Sequence, residues 1–273
     1  MRIADQDFVS EAVAVADQQI ADFTPSSEDN VEVARPELTV IIPVFNEIKT
    51  VEEVLRRVVH ESTPKDIVIV DDGSTDGTTE LIGTWHTEWR SKPPLQHIHR
   101  VMTLRHPVNR GKGAAIRTAL EHARSEFVVV QDADLEVAPE EYFWLLKPLA
   151  AGEADIVIGF RTQAQTSPKR FAHGAGIHLL NLTVRVLYGV WLKDEACCFK
   201  VLRTHDLKRM NLECRGFEFC PEVVAKAARL GLRFGEVPVA YAPRNSTEGK
   251  KLRLRDGLQA ILTLWKYRRW REG

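Results

Sequence analysis

Two apolar, β-branched runs in this chain stop abruptly in carboxylates, and no other feature limits the possible folds as tightly. Phe127-Val-Val-Val130 shows no polar alternation, the pattern of a strand buried on both faces of a parallel sheet, and is followed by Gln131, Asp132, Asp134 and Glu136. Ile67-Val-Ile-Val70 behaves in the same way and ends in Asp71-Asp72-Gly73-Ser74. Carboxylates crowded at the mouth of a buried strand repel one another and cost stability unless a cation or partner neutralises them. Hard divalent cations take such oxygen ligands, often shared with a phosphate. A solvated acidic turn is the plainer account of the same residues.

The surrounding pattern alternates strands and helices. Leu38 to Ile42 reads as the first strand, stopped by Pro43, and Val51, Val54, Leu55, Val58 and Val59 mark one face of the helix that follows. A helix with Leu81, Ile82 and Trp85 follows the second strand, then a strand at His99–Leu104 and a helix at Gly111–Arg124. After the organising strand come a helix beyond Pro139 and a strand at Asp155–Gly159. This order implies right-handed crossovers and a doubly wound, mostly parallel α/β sheet flanked by helices, with ligands outside the carboxyl ends of the strands. Both acidic tips fall on that edge. Residues 161–192 read as basic and small residues leading into a long apolar helix, and a further helix runs through Arg229 to Gly231. A last strand at Gly235–Tyr241 precedes a final helix with Leu254, Leu258, Ile261, Leu262 and Trp265 on one face.

The net charge of −1 argues against bulk nucleic-acid binding but conceals an asymmetry. Residues 1–37 carry nine acidic and two basic side chains, whereas residues 244–273 carry nine basic and three acidic. Apolar positions at Val9, Val13, Ala16, Ile20 and Phe23 suit one helix face, so residues 1–36 are expected to form an appendage and linker. The cysteines, Cys197, Cys198, Cys214 and Cys220, lack zinc-ligand spacing, and no signal-peptide pattern is present. They are expected to be reduced thiols in a cytoplasmic protein. No run approaches the roughly 18 apolar residues of a membrane span; the nearest, Ile177 to Leu192, is broken by Asn181 and Arg185. The basic final helix, residues 251–273, either packs on the sheet or gives peripheral contact with an anionic membrane.

In order and separation, four motifs resemble family 2 of the inverting glycosyltransferases. They are Val40-Ile-Ile-Pro-Val-Phe-Asn-Glu47, Ile69-Val-Asp-Asp-Gly-Ser-Thr-Asp76, Asn109-Arg-Gly-Lys-Gly113 and Gln131-Asp-Ala-Asp-Leu135. Gly216-Phe-Glu-Phe219, Glu236-Val-Pro-Val239 and Gly249-Lys-Lys251 are similar to the dolichol-phosphate mannose and glucose synthase branch. The resemblance implies a single GT-A (nucleotide-diphospho-sugar transferase) domain over residues 37–250, with residues 37–160 as the nucleotide-sugar half and 161–250 as the acceptor half. It further implies a GDP-mannose- or UDP-glucose-type donor, a polyprenyl-phosphate acceptor and Mg²⁺ or Mn²⁺. Pro43, Val44, Phe45, Asn46 and Glu47 would line the nucleotide pocket, Asp71 or Asp72 would meet base or ribose, and Asn109 and Lys112 would lie near the nucleotide. Asp132, Ala133 and Asp134 would form the D-x-D element that positions the metal, with Glu136 a third ligand where that branch commonly carries Gln.

Arg161 and Arg170 resemble the arginines that hold an acceptor phosphate, for which a guanidinium is well shaped. A surface ion pair is the alternative for each. Arg244, Lys250 and Lys251 sit on a loop expected to close over the donor diphosphate. A polyprenyl phosphate is already anionic and needs no strong base. A hydroxyl acceptor would need one, with Asp194, Glu218 and Glu222 as candidates against roles as helix caps or ion-pair partners. A non-catalytic sugar-nucleotide-binding subunit is the rival from another class. A dinucleotide-dependent dehydrogenase is disfavoured because Pro43 to Glu47 stands where a G-x-G-x-x-G turn would be required.

Overall fold

The computed structural model describes residues 38–162, 168–243 and 254–273. The expected N-terminal appendage, Arg244, Lys250 and Lys251 lie outside the described residues, as does the side chain of Arg170. Seven strands form one sheet: β1 (Leu38–Val44), β2 (Lys65–Asp71), β3 (Ile98–Arg105), β4 (Phe127–Val130), β5 (Ile156–Thr162), β6 (Lys200–Arg203) and β7 (Phe234–Ala240). Their order is β3-β2-β1-β4-β6-β5-β7. Every pairing is parallel except those of β6, which runs antiparallel between β4 and β5. Every residue of β2 and β4 is buried, as a sheet covered on both faces requires.

Eight α-helices flank the sheet among the described residues: α1 (Val51–His60), α2 (Thr78–Ser91), α3 (Lys112–Glu121), α4 (Tyr142–Ala150), α5 (Pro168–Tyr188), α6 (Thr204–Arg209), α7 (Phe219–Arg229) and α8 (Leu254–Tyr267). All five apolar residues expected on the inner face of α1 are buried. A short 3₁₀ turn, Pro139–Glu141, precedes α4.

Three expectations need correction. First, β1 continues through Pro43 to Val44. Ile41 O accepts from Gln131 N–H beyond β4, and Val44 O accepts from Asp72 N–H beyond β2. Alternate residues face opposite neighbours, so position 43 faces the side where β4 has ended, and the missing proline N–H leaves no ladder bond unmade. Second, β6 and α6 were not anticipated. Lys200 interrupts the apolar run but is buried, its ammonium donating to the Glu195 and Cys197 carbonyls. Third, α8 buries Ala260, Thr263, Leu264 and Tyr267, leaving Leu258, Leu262 and Trp265 exposed. The Tyr267 side meets α7, where the buried Lys226 ammonium lies 4.4 Å from its ring centroid.

Because β6 alone is reversed, the carboxyl ends of β1, β2, β4, β5 and β7 share one edge with the segment entering β6. The four cysteines are free thiols.

Candidate active site

The loops on this edge are tied together by side chains. Beyond β1, Asn46 adopts φ 53°, a left-handed conformation that Asn tolerates better than most residues. Its N–H donates to Ser74 Oγ at 2.9 Å, and its Oδ1 accepts from Thr75 N–H at 2.8 Å. Glu47 N–H donates to Thr78 Oγ1, and Ile48 N–H to Asp76 Oδ2. Pro43, Phe45, Asn46 and Glu47 are half-buried at the rim, whereas Val44 belongs to the core at 1% exposure.

Asp71 and Asp72 are both buried, and the protein itself uses both carboxylates. Asp71 accepts from Ser74 N–H and from Thr79 Oγ1. Asp72 Oδ1 accepts from His106 Nδ1 at 2.6 Å and Arg110 N–H at 2.9 Å, while Oδ2 accepts from Gly111 N–H at 2.7 Å. Asp72 therefore shapes the loop that presents Asn109, which is exposed, and Lys112, the first residue of α3. Close packing requires glycine here: at Gly73, φ 74°, a Cβ would lie 2.6 Å from the Val108 carbonyl carbon.

The acidic loop after β4 is held in a strained turn. Gln131 is fully buried, donates to the Asp132 and Val137 carbonyls, and accepts from Tyr142 Oη. The Ala133 carbonyl accepts from Thr50 Oγ1 at 2.7 Å. Leu135 has φ 61°, costly for a residue with a Cβ and of a kind that clusters at functional sites. Half-buried Asp132 pairs with Lys112 Nζ at 2.6 Å, so part of the cation that the crowded carboxylates require is an ammonium of the protein itself. Burial alone would depress the Lys112 pKa, but adjacent Asp132 outweighs it and the net shift is upward. Lys112 Nζ also lies 3.3 Å from Cys198 Sγ.

Asp134 Oδ1 accepts from Glu136 N–H at 3.1 Å, while Glu136 Oε2 accepts from Tyr241 Oη at 3.1 Å. Asp132, Asp134 and Glu136 thus do not converge as a three-ligand cage; no group of three His, Cys, Asp or Glu among the described residues does. The donor set instead suits an ion that takes one or two carboxylates and completes its shell from substrate phosphate and water, as Mg²⁺ commonly does.

Across the edge, Arg161 forms a bidentate pair with Asp194, Nε–Oδ2 2.6 Å and Nη2–Oδ1 2.7 Å, and its guanidinium lies 5.1 Å from the Tyr241 ring centroid. Burial, together with Glu136, pushes the Tyr241 hydroxyl up to about 12, so it remains a proton donor at neutral pH. Asp194, Arg161, Tyr241 and Glu136 form a continuous chain from the β5 end to the acidic loop. Tyr241 and His106 were not singled out from sequence, and Gln131 only as part of its motif; the usable signal was position, since Tyr241 and Gln131 directly follow strands on the ligand edge.

The three candidate bases differ in how far the protein itself engages them. Asp194 is held by Arg161. Glu222 is fully buried, pairs with Lys226 at 2.6 Å and accepts from the Glu213 and Cys214 amides. Glu218 stands at the N-cap of α7 and accepts from Arg215 N–H.

A mostly parallel sheet with a D-x-D turn after β4 and an Asp-Asp-Gly-Ser turn after β2, on either side of β1, is the arrangement of a glycosyltransferase of the GT-A fold. The chain belongs to Glycosyl transferase family 2, whose domain matches residues 39–210. It is 31% identical over 239 residues to a dolichyl-phosphate beta-glucosyltransferase of Trichomonas vaginalis, covering 80% of this chain and 68% of that protein. It is 30% identical over 221 residues to the undecaprenyl-phosphate mannosyltransferase of Micrococcus luteus, covering 77% and 85%. Among solved structures, glucosyl-3-phosphoglycerate synthase from Mycobacterium tuberculosis with Mn²⁺, UDP and glucosyl-3-phosphoglycerate superposes with a TM-score of 0.64 at 21% identity, covering 90% and 86%. At that identity the likeness establishes the fold alone.

Proposed function

We propose that this glycosyltransferase moves a hexose from a nucleoside-diphosphate sugar to a polyprenyl phosphate, with inversion at the anomeric carbon. The observation that carries the choice of acceptor is the engagement of Asp194 and Glu222 in internal ion pairs, which leaves Glu218, bonded to the Arg215 amide, as the remaining candidate base. An enzyme acting on a hydroxyl needs a general base, whereas a phosphate monoester brings an oxygen that is already anionic. The dolichyl-phosphate and undecaprenyl-phosphate transferases among the relatives support the same acceptor.

In this account the donor half, residues 37–160, seats the nucleotide against the Pro43–Glu47 rim, and the acidic loop with Lys112 takes the diphosphate. Asp132 and Asp134 are the residues that would hold Mg²⁺ or Mn²⁺, which when bound offsets negative charge on the departing diphosphate. Lys112 supplies a second, fixed positive charge at the same place. Acceptor phosphate oxygen forms the new bond to the anomeric carbon as the bond to the diphosphate breaks. Asp194 fixes Arg161 through Nε and Nη2, so phosphate contact falls to Nη1, with Arg170 from the start of α5 as its companion. Arg244, Lys250 and Lys251, which lie outside the described residues, are assigned to the diphosphate as further cations.

The test is a panel of UDP-glucose and GDP-mannose with Mn²⁺ or Mg²⁺, scored for nucleotide release with a short-chain polyprenyl phosphate, 3-phosphoglycerate or no acceptor. Release stimulated by the polyprenyl phosphate is expected. Stimulation by 3-phosphoglycerate alone overturns the acceptor, and donor binding without release under every condition overturns catalysis.

A further inference from the structure

Among the four thiols, Cys198 and Cys220 form a facing pair beside the acidic loop. They come from different elements: Cys198 lies in the segment entering β6, and Cys220 is the second residue of α7. The Cys220 sulfur packs against the chain just before Cys198, 3.7 Å from the Cys197 carbonyl oxygen and 4.0 Å from that of Ala196. The Lys200 ammonium donates to the same Cys197 carbonyl, which sets a buried cation close to the Cys220 sulfur. Both thiols are half-buried, whereas Cys197 and Cys214 are buried at 1% and 3% exposure.

The surroundings make the two partners unequal. A hydrogen bond from Cys198 holds the Cys220 thiol below its ordinary pKa against the opposing effect of burial, and Lys200 and Lys112 add to it. The same bond, with burial, pushes Cys198 upward. The pair thus keeps one proton, on Cys198, donated to a Cys220 thiolate. A thiolate in the first turn of a helix, next to ammonium groups, is the nucleophilic form of cysteine, and a second thiol within reach resolves what it captures. Burial raises the Cys197 and Cys214 thiols instead, so neither competes.

Cys198 also touches the donor side. Its sulfur lies 3.3 Å from Lys112 Nζ, the ammonium that pairs with Asp132 at 2.6 Å, and 3.9 Å from the Val130 carbonyl at the end of β4. An S–S bond is only about 2.05 Å long, so forming one draws both sulfurs out of non-bonded contact and shifts the atom against which Lys112 rests. We propose that Cys198 and Cys220 are a redox-active dithiol, oxidised by low-molecular-weight disulfides to a bond that weakens donor binding through Lys112. The Cys220 thiolate attacks one sulfur of the small disulfide, forming a mixed disulfide and expelling a thiolate, which takes the Cys198 proton. The Cys198 sulfur then attacks the Cys220 sulfur and expels the second thiolate. Two electrons pass from the protein to the small disulfide, which departs as one thiol and one thiolate. The dithiol itself stands on the geometry of the pair; its effect on the donor rests on the nucleotide-sugar assignment.

The test exposes the full chain to 2-hydroxyethyl disulfide and reads the products by mass spectrometry of unreduced peptides. A linkage of Cys198 to Cys220 is expected, reversed by dithiothreitol. Calorimetric titration of the nucleotide sugar with Mn²⁺ should then show about tenfold weaker binding to the oxidised protein, the equivalent of one charge-assisted hydrogen bond. Reduced Cys220→Ser should bind donor as wild type does, with an unchanged unfolding midpoint, and should lose no affinity on oxidation. Cys214→Ser should remain as sensitive as wild type. A stable adduct on either thiol without closure, linkage of another pair, or no reaction overturns the dithiol. Linkage of Cys198 to Cys220 with unaltered donor affinity overturns the coupling through Lys112. Reduced wild type that binds no nucleotide sugar yet forms the linkage upholds the dithiol and overturns the donor assignment instead.

Discussion

Glu195 makes stability depend on pH in an unusual direction. Its side chain is buried at 1% exposure and neither carboxyl oxygen has a hydrogen-bond partner. Burial pushes its pKa from the ordinary 4.5 up to about 8, with Lys200 pulling the other way. The folded state therefore binds a proton that the unfolded chain releases above pH 4.5. Stability is fully present below that value, declines as pH rises, and levels off once pH passes about 8. At about 1.4 kcal/mol per pH unit, the loss reaches roughly 3 kcal/mol by neutrality, equivalent to a fall of roughly 1 M in the urea midpoint. Glu195→Gln cannot ionise and should abolish this component. Urea midpoints of wild type and variant, measured across the window, should converge or cross at its acid end and separate steadily toward its alkaline end, with the variant gaining. Two parallel curves would refute the assignment of a protonated, unpartnered carboxyl at this position.

Asp194→Asn should cost about 3–5 kcal/mol in chemical denaturation, because it leaves the Arg161 guanidinium buried without its counter-charge. Tyr241→Phe should cost only about 1 kcal/mol of stability, yet lower kcat by breaking the link between Arg161 and Glu136; unchanged steady-state kinetics would remove Tyr241 from the site. Gly73→Ala should lose about 1–3 kcal/mol, from the left-handed backbone and the clash with Val108, and weaken donor binding as the 106–111 loop shifts; a thermal midpoint equal to wild type would contradict that packing.

Much of the donor side was legible in sequence because burial on both faces leaves an unbroken apolar signature. The Ile67–Val70 and Phe127–Val130 runs lie within β2 and β4, and the carboxylates that end them lie on one edge. The inner face of α1 was likewise readable from Val51 to Val59. What escaped depended on partners distant in the chain. Nothing local shows that Asp72 accepts from the Arg110 and Gly111 amides. Glu222 looks like a surface acid until Lys226 and two amides enclose it. The strand β6 is four residues long with a buried lysine at its head, so it mimics a loop. In α8 the largest apolar residues form the more persuasive stripe, yet Ala260 and Tyr267 are buried.

The central claim is that the turn after β4 receives the donor diphosphate together with a divalent ion. Calorimetric titration of the responsive nucleotide sugar, with and without Mn²⁺, into wild type and Asp134→Asn tests it most directly, since Asn keeps the bond to the Glu136 amide while removing the charge. Metal-dependent donor affinity should be present in wild type and lost in the variant, with the unfolding midpoint preserved. Equal, metal-dependent binding by both proteins would contradict the account.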